Sequence, residues 1–115
     1  MEAARALADL VEISPQIEAA AVVSGEGELA GSVGVPEARA SVLGRSIRQL
    51  LDSAAAFRSD ESRVTQLHAE LATGDLFAVS GADDRTIVAV TAGRVPPGLV
   101  FYDLKRCLAE VGDET

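Results

Sequence analysis

Ile17-Glu18-Ala19-Ala20-Ala21-Val22-Val23-Ser24 is the stretch that decides the fold. Successive side chains of an extended chain point to opposite faces. One face here carries Ile17, Ala19, Ala21 and Val23, and the other Glu18, Ala20, Val22 and Ser24. Both are mostly apolar, so the strand is expected in the middle of a sheet covered on both sides. Gly25-Glu26-Gly27-Glu28 then supplies the glycines of a tight hairpin. Leu29 to Gly34 returns as a second strand, softened by Gly31.

Upstream, Ala3, Ala4, Leu7, Leu10 and Val11 recur at helical spacing, and Ser14-Pro15 ends that helix. Downstream, Val35-Pro36-Glu37 opens the longest helix, which the pattern carries to about Phe57. Its predicted buried stripe is Leu43, Ile47, Leu50, Leu51 and Ala54. Arg58-Ser59-Asp60-Glu61-Ser62 reads as a solvated loop.

Three strands follow. Arg63 to Leu71 alternates, with Thr65, Leu67, Ala69 and Leu71 on the inner face and Val64, Gln66, His68 and Glu70 on a largely polar one. That pattern fits an edge or one-sided strand. Turns at Thr73-Gly74-Asp75 and at Gly81-Ala82-Asp83-Asp84-Arg85 lead into strands Leu76 to Ser80 and Thr86 to Thr91. After a loop from Gly93 to Pro97, a last helix carries Val100, Leu104, Cys107, Leu108 and Val111 as its apolar stripe, and Gly112-Asp113-Glu114-Thr115 reads as a frayed tail. The order α-β-β-α-β-β-β-α implies an α+β domain. Its sheet is five-stranded and antiparallel, with two helices on one face and the long one on the other.

The 115 residues suit a single domain spanning 1–115. With 48% apolar and 24% charged residues, the composition is that of a globular protein. A net charge of -8 repels phosphate backbones and anionic lipid, so neither nucleic acid nor membrane is an expected partner. The N-terminus lacks a basic region followed by an apolar one, and no apolar stretch approaches the ~20 residues of a membrane helix. A cytoplasmic location is the expectation.

Little reactive chemistry is on offer. The single Cys107 excludes an internal disulfide framework and sits on an apolar stripe, as a small buried hydrophobe would. Lys105 is the only lysine and no phosphate-binding loop surrounds it. Gly25-Glu26-Gly27 joins two hairpin strands rather than a strand and a helix, so it is turn chemistry. His68 is the only histidine, with no nucleophile or metal motif nearby. No catalytic, cofactor-binding or metal-ligating residue is expected, and the chain does not read as an enzyme.

In its ordered whole the chain resembles the roadblock/dynein light chain domain family, most of all the short stand-alone bacterial members of actinobacterial type. The resemblance is carried by the opening helix ending in Ser14-Pro15, by Ile17-Glu18-Ala19-Ala20-Ala21-Val22-Val23-Ser24 before its glycine hairpin, and by the long helix ending near Ala54-Ala55-Ala56. Val64-Thr65-Gln66-Leu67, Asp75-Leu76-Phe77-Ala78-Val79, Thr86-Ile87-Val88-Ala89-Val90 and Gly98-Leu99-Val100-Phe101-Tyr102-Asp103-Leu104 complete it. These are fold-pattern features rather than chemical motifs.

The resemblance implies a homodimer in which the third strands pair across a two-fold axis and the long helices lie side by side. It also implies a non-enzymatic role as regulator or scaffold of a small Ras-like GTPase. The candidate dimer contacts are Ser41, Gly44 and Arg48 on the helix and Val64, Gln66 and His68 on the strand. Small residues such as Ser41, Gly44, Ser46, Ser53 and Ala56 would let a second helix approach. The candidate partner-binding residues are Arg45, Arg48 and Asp52, read as a cluster on the outer side of the helix. Two readings of that cluster stand: an ordinary i,i+4 surface pair, or charges that contact the partner's switch surface. A mid-helix arginine is poorly placed to reach a buried phosphate. His68 would meet its symmetry mate or Glu70 at the two-fold, making association pH-sensitive. The competing assignment is a small-ligand sensor of PAS- or profilin-like architecture, with a pocket under the long helix.

Overall fold

The computed structural model describes residues 2–57, 64–81 and 83–112. The expected loop at Arg58-Ser59-Asp60-Glu61-Ser62, the strand start at Arg63, Ala82 in the second turn and the tail Asp113-Glu114-Thr115 lie outside the described residues. The elements are α1 (Ala3–Ile13), β1 (Ile17–Val23), β2 (Leu29–Val33), α2 (Glu37–Ala55), β3 (Gln66–Glu70), β4 (Asp75–Ser80), β5 (Thr86–Thr91) and α3 (Pro97–Gly112). This is the expected order.

The strands form one sheet in the order β2-β1-β5-β4-β3, and every neighbouring pair is antiparallel. β1 and β5 pair with Ala20 opposite Ala89 and Val22 opposite Ile87, welding the hairpin to the three-stranded meander. β1 is therefore central, as its two apolar faces require. Ala20 and Val22 enter one core layer with Leu7 and Leu10 of α1, Val100, Leu104 and Leu108 of α3, and Phe77, Val79 and Ile87 of the sheet. Ala21 enters the other layer, with Ala40, Ile47 and Leu51 of α2 over Ala78 and Val88. Two helices cover one face and the long one covers the other.

Two glycines set close approaches. Gly34 follows β2 at φ 76°, and a Cβ there would fall 2.1 Å from the Glu18 carbonyl oxygen. Gly44 lies on the underside of α2, where a Cβ would fall 2.3 Å from Cγ1 of Val23. Of the small residues expected to admit a second helix, Gly44 admits the chain's own β1. α1 ends at Ser14, whose buried hydroxyl donates to the buried carboxylate of Asp103 and ties the end of α1 to α3.

The helix stripes differ in accuracy. All five predicted apolar positions of α3 are buried. On α2 the buried positions are Ala40, Gly44, Ile47 and Leu51, while Leu50 is 46% exposed. The contact face is centred on the small residues Ala40 and Gly44, because close packing onto β1 needs them there. Leu50 is thereby rotated to the flank. β3 is shorter than expected, and Thr65 and Leu71 at its ends are exposed.

Candidate interaction surface

β3 closes one edge of the sheet. Ser80 donates its backbone N–H to the Thr65 carbonyl at 2.9 Å, and Leu71 donates to the Gly74 carbonyl at 2.7 Å. N–H and C=O of one strand residue point the same way, and the direction alternates along the strand. Thr65, Leu67, Ala69 and Leu71 therefore face β4, and Gln66, His68 and Glu70 turn their backbone groups outward. An edge of this kind is a template for another strand.

The side chains of β3 divide between the two faces. Leu67 and Leu76 are half-buried at the margin of the layer under α2, and Val64 packs there from just before the strand. Val64 thus lies beside the edge rather than on it. On the other face His68 stacks on Phe77, with ring centroids 4.5 Å apart and planes within 3°. His68 Nε2 lies 3.3 Å from Oδ2 of the buried Asp75. His68 therefore has partners within its own chain.

Sequence reading missed the group around Asp75. Arg94, from the loop after β5, donates to the Asp75 carboxylate and to the Gly74 and Leu71 carbonyls. The Asp75 N–H donates to Thr91 Oγ1 at 3.1 Å. Burial pushes the Asp75 carboxyl up, but hydrogen bonds from His68 and Arg94 and the Arg94 charge outweigh it and hold it below its ordinary value. The arrangement pins the β3–β4 turn, and with it the free edge. Only a long-range contact between residues 75 and 94 announces it, which a chain pattern does not carry.

α2 and the turn after it present an exposed stripe, and Leu50, expected in the buried one, belongs to it. Val42, Leu50 and Phe57 are 56%, 46% and 92% exposed, with Ser46 and Ser53 between them at helical spacing. The same counting that picked the buried stripe would have found it. Beside it an open cleft of about 1140 Å³ runs between the first half of α2 and the ends of β1 and β5. Ala19, Val35, Leu43 and Val90 form its walls, with Glu18 and Arg39 as its charged side chains.

The charged trio on α2 is not one outward cluster. Arg45 is exposed and lies along the β1–β2 turn at Gly27. Arg48 bends inward: its side chain is 17% exposed, and Nη1 donates to Thr86 Oγ1 at 3.2 Å. The expected i,i+4 pair is present, with Arg48 Nη2 3.6 Å from Oδ1 of the exposed Asp52. Arg48 staples α2 to the start of β5, while Arg45 and Asp52 remain outside. Ser41 is half-buried and Gln66 exposed.

Cys107 is buried, and burial, with Glu110 and Asp9 nearby, pushes its thiol up to about 12. Among the described residues no group of three His, Cys, Asp or Glu side chains is placed to hold a metal ion. No described helix is long and apolar enough to cross a membrane.

No family model and no curated protein matches the sequence. Solved structures do. A Roadblock/LC7 domain from Streptomyces avermitilis superposes with a TM-score of 0.80 at 18% identity, over 91% of this chain and 90% of that one. MglB of Myxococcus xanthus gives 0.80 at 16% identity, over 96% and 84%. An MglB in a tetrameric arrangement gives 0.73 at 17% identity, over 93% and 85%. At such identities the likeness is one of architecture, and it extends over almost the whole chain: the protein has the Roadblock/LC7 fold.

Proposed function

We propose that the protein is a non-enzymatic homodimeric regulator or scaffold of a small Ras-like GTPase, working in the cytoplasm. The observations that carry this reading are the β3 edge, which has a neighbouring strand on one side alone, and the exposed apolar side chains of Val42, Leu50 and Phe57. Two copies joined at β3 would extend the sheet to ten strands and bring two α2 helices onto one face. The stripe and cleft are then available to the second helix and the partner. Arg45 and Asp52, both exposed on α2, are the charges left to meet a switch surface. The fold shared with MglB, which has been solved in a tetrameric arrangement, supports self-association.

The test has two parts. Proline at an outward-facing edge position costs the chain's own ladder no N–H. Gln66→Pro is therefore expected to fold and to weaken the dimer at least tenfold by light scattering. A GTP-loaded small Ras-like GTPase from the same source is expected to be retained by the wild type and lost on charge reversal of Arg45 and Asp52. A monomer at high concentration, or unchanged capture by that variant, counts against the proposal.

A ligand-sensing role draws on the cleft of about 1140 Å³. Its walls offer one arginine and one glutamate to orient a small molecule, and it is open along its length, which suits a helix better. Strong thermal stabilisation by a single metabolite would favour the sensor instead.

A further inference from the structure

The free edge also constrains how a second copy would sit, an inference that rests on the dimer just proposed. Residues facing outward on one strand must stand opposite outward-facing residues of the other to exchange bonds. A two-fold axis at His68 sets Gln66 opposite the partner's Glu70, His68 opposite the partner's His68, and Glu70 opposite the partner's Gln66. That makes three facing pairs, each exchanging two bonds. An axis at Leu67 or Ala69 leaves two such pairs.

Side chains of Gln66, His68 and Glu70 share the face on which His68 stacks against Phe77, the face covered by α1 and α3. Gln66 and Lys105 line one cleft of about 570 Å³, floored by Val79, Leu108 and Ala109. Lys105 reaches this cleft from α3 and makes no ion pair among the described residues. In the register centred on His68 the partner's Glu70 arrives at the mouth of the cleft, with its Cβ about 5.5 Å from that of Gln66. The geometry points to a reciprocal ion pair between Lys105 and the partner's Glu70, formed twice about the axis, that completes this cleft and fixes the register. Each copy carries a net charge of -8, so a cation matched to an incoming carboxylate offsets repulsion where the chains meet.

Cross-linking separates the possibilities. In a Cys107→Ala background, Gln66→Cys, His68→Cys and Glu70→Cys are made singly and treated with a short bis-maleimide. His68→Cys is expected to link to itself. Gln66→Cys is expected to link to Glu70→Cys after mixing, and neither to itself. Self-linking of Gln66→Cys or Glu70→Cys overturns the register while leaving the edge dimer standing. No linking at any site, with a single-chain mass by light scattering, overturns the dimer and the register together. Glu70 also lies 4.0 Å from Arg94 Nε of its own chain, so the ion pair is tested by neutral substitutions. Lys105→Ala and Glu70→Gln are each expected to weaken the dimer roughly two- to fivefold, and their combination in one chain to weaken it no more than either alone. Losses that add in the double variant overturn the ion pair.

Discussion

Asp75 is buried at the start of β4 and answered from three places: β3 through His68, the loop after β5 through Arg94, and Thr91 through the backbone N–H. The carboxylate therefore titrates lower when folded than when unfolded. A depressed carboxyl contributes stability above its unfolded value of about 3.9, and that contribution fades as pH falls through the folded value. Asp75→Asn is expected to be less stable than the wild type in urea at pH 6. The gap is expected to narrow steadily below about pH 4, where the wild type loses the same interaction by protonation. A gap that stays constant down to pH 2.5 would mean that Asp75 acts through neutral hydrogen bonds alone.

At the scale of elements, the contact of α2 with β1 turns on Gly44. A methyl group there meets Cγ1 of Val23, a fully buried β-branched side chain with restricted χ1. Alanine gains up to about 1 kcal/mol of helix propensity over glycine, but overpacking costs roughly 1–3 kcal/mol. Gly44→Ala is expected to lose stability on balance. Gly98→Ala in α3, with no atom near the added carbon, is expected to gain a few tenths to about 1 kcal/mol. Urea denaturation of both reads the opposite signs, and equal signs would show that α2 shifts freely on the sheet. Gly44 also marks where the sequence stopped being legible. Periodicity and turn residues carry β1, the hairpin, β5 and the α3 stripe, because those depend on neighbours along the chain. Which side of α2 meets the sheet depends on how closely a glycine can approach a valine 21 positions earlier. That turned Gly44 inward, Leu50 outward and Arg48 onto Thr86. The edge strand was legible in its polar face, whereas the ties that give His68 partners in its own chain were not.

Among the described residues the sheet ends in two edge strands, β2 and β3, and one helix flank carries apolar side chains in water. A large exposed apolar side chain adds nothing to a monomer, whose midpoint should ignore protein concentration. In a dimer, folding and association are one equilibrium, and mass action raises the midpoint with concentration. For two chains of this length the enthalpy of unfolding is about 160 kcal/mol, which gives a rise of roughly 3 °C per tenfold increase. The wild type is expected to show that slope in calorimetry between micromolar and hundred-micromolar chain. Leu50→Ser, made on the exposed flank, is expected to unfold below the wild type and to lose most of the slope, so that the gap widens with concentration. Gln66→Pro, made on the edge, is expected to do the same from a different element. A flat wild-type midpoint would leave the edge and the stripe as features of a folded monomer. A slope kept by Leu50→Ser but lost by Gln66→Pro would assign association to the strand alone and free the helix flank for the partner.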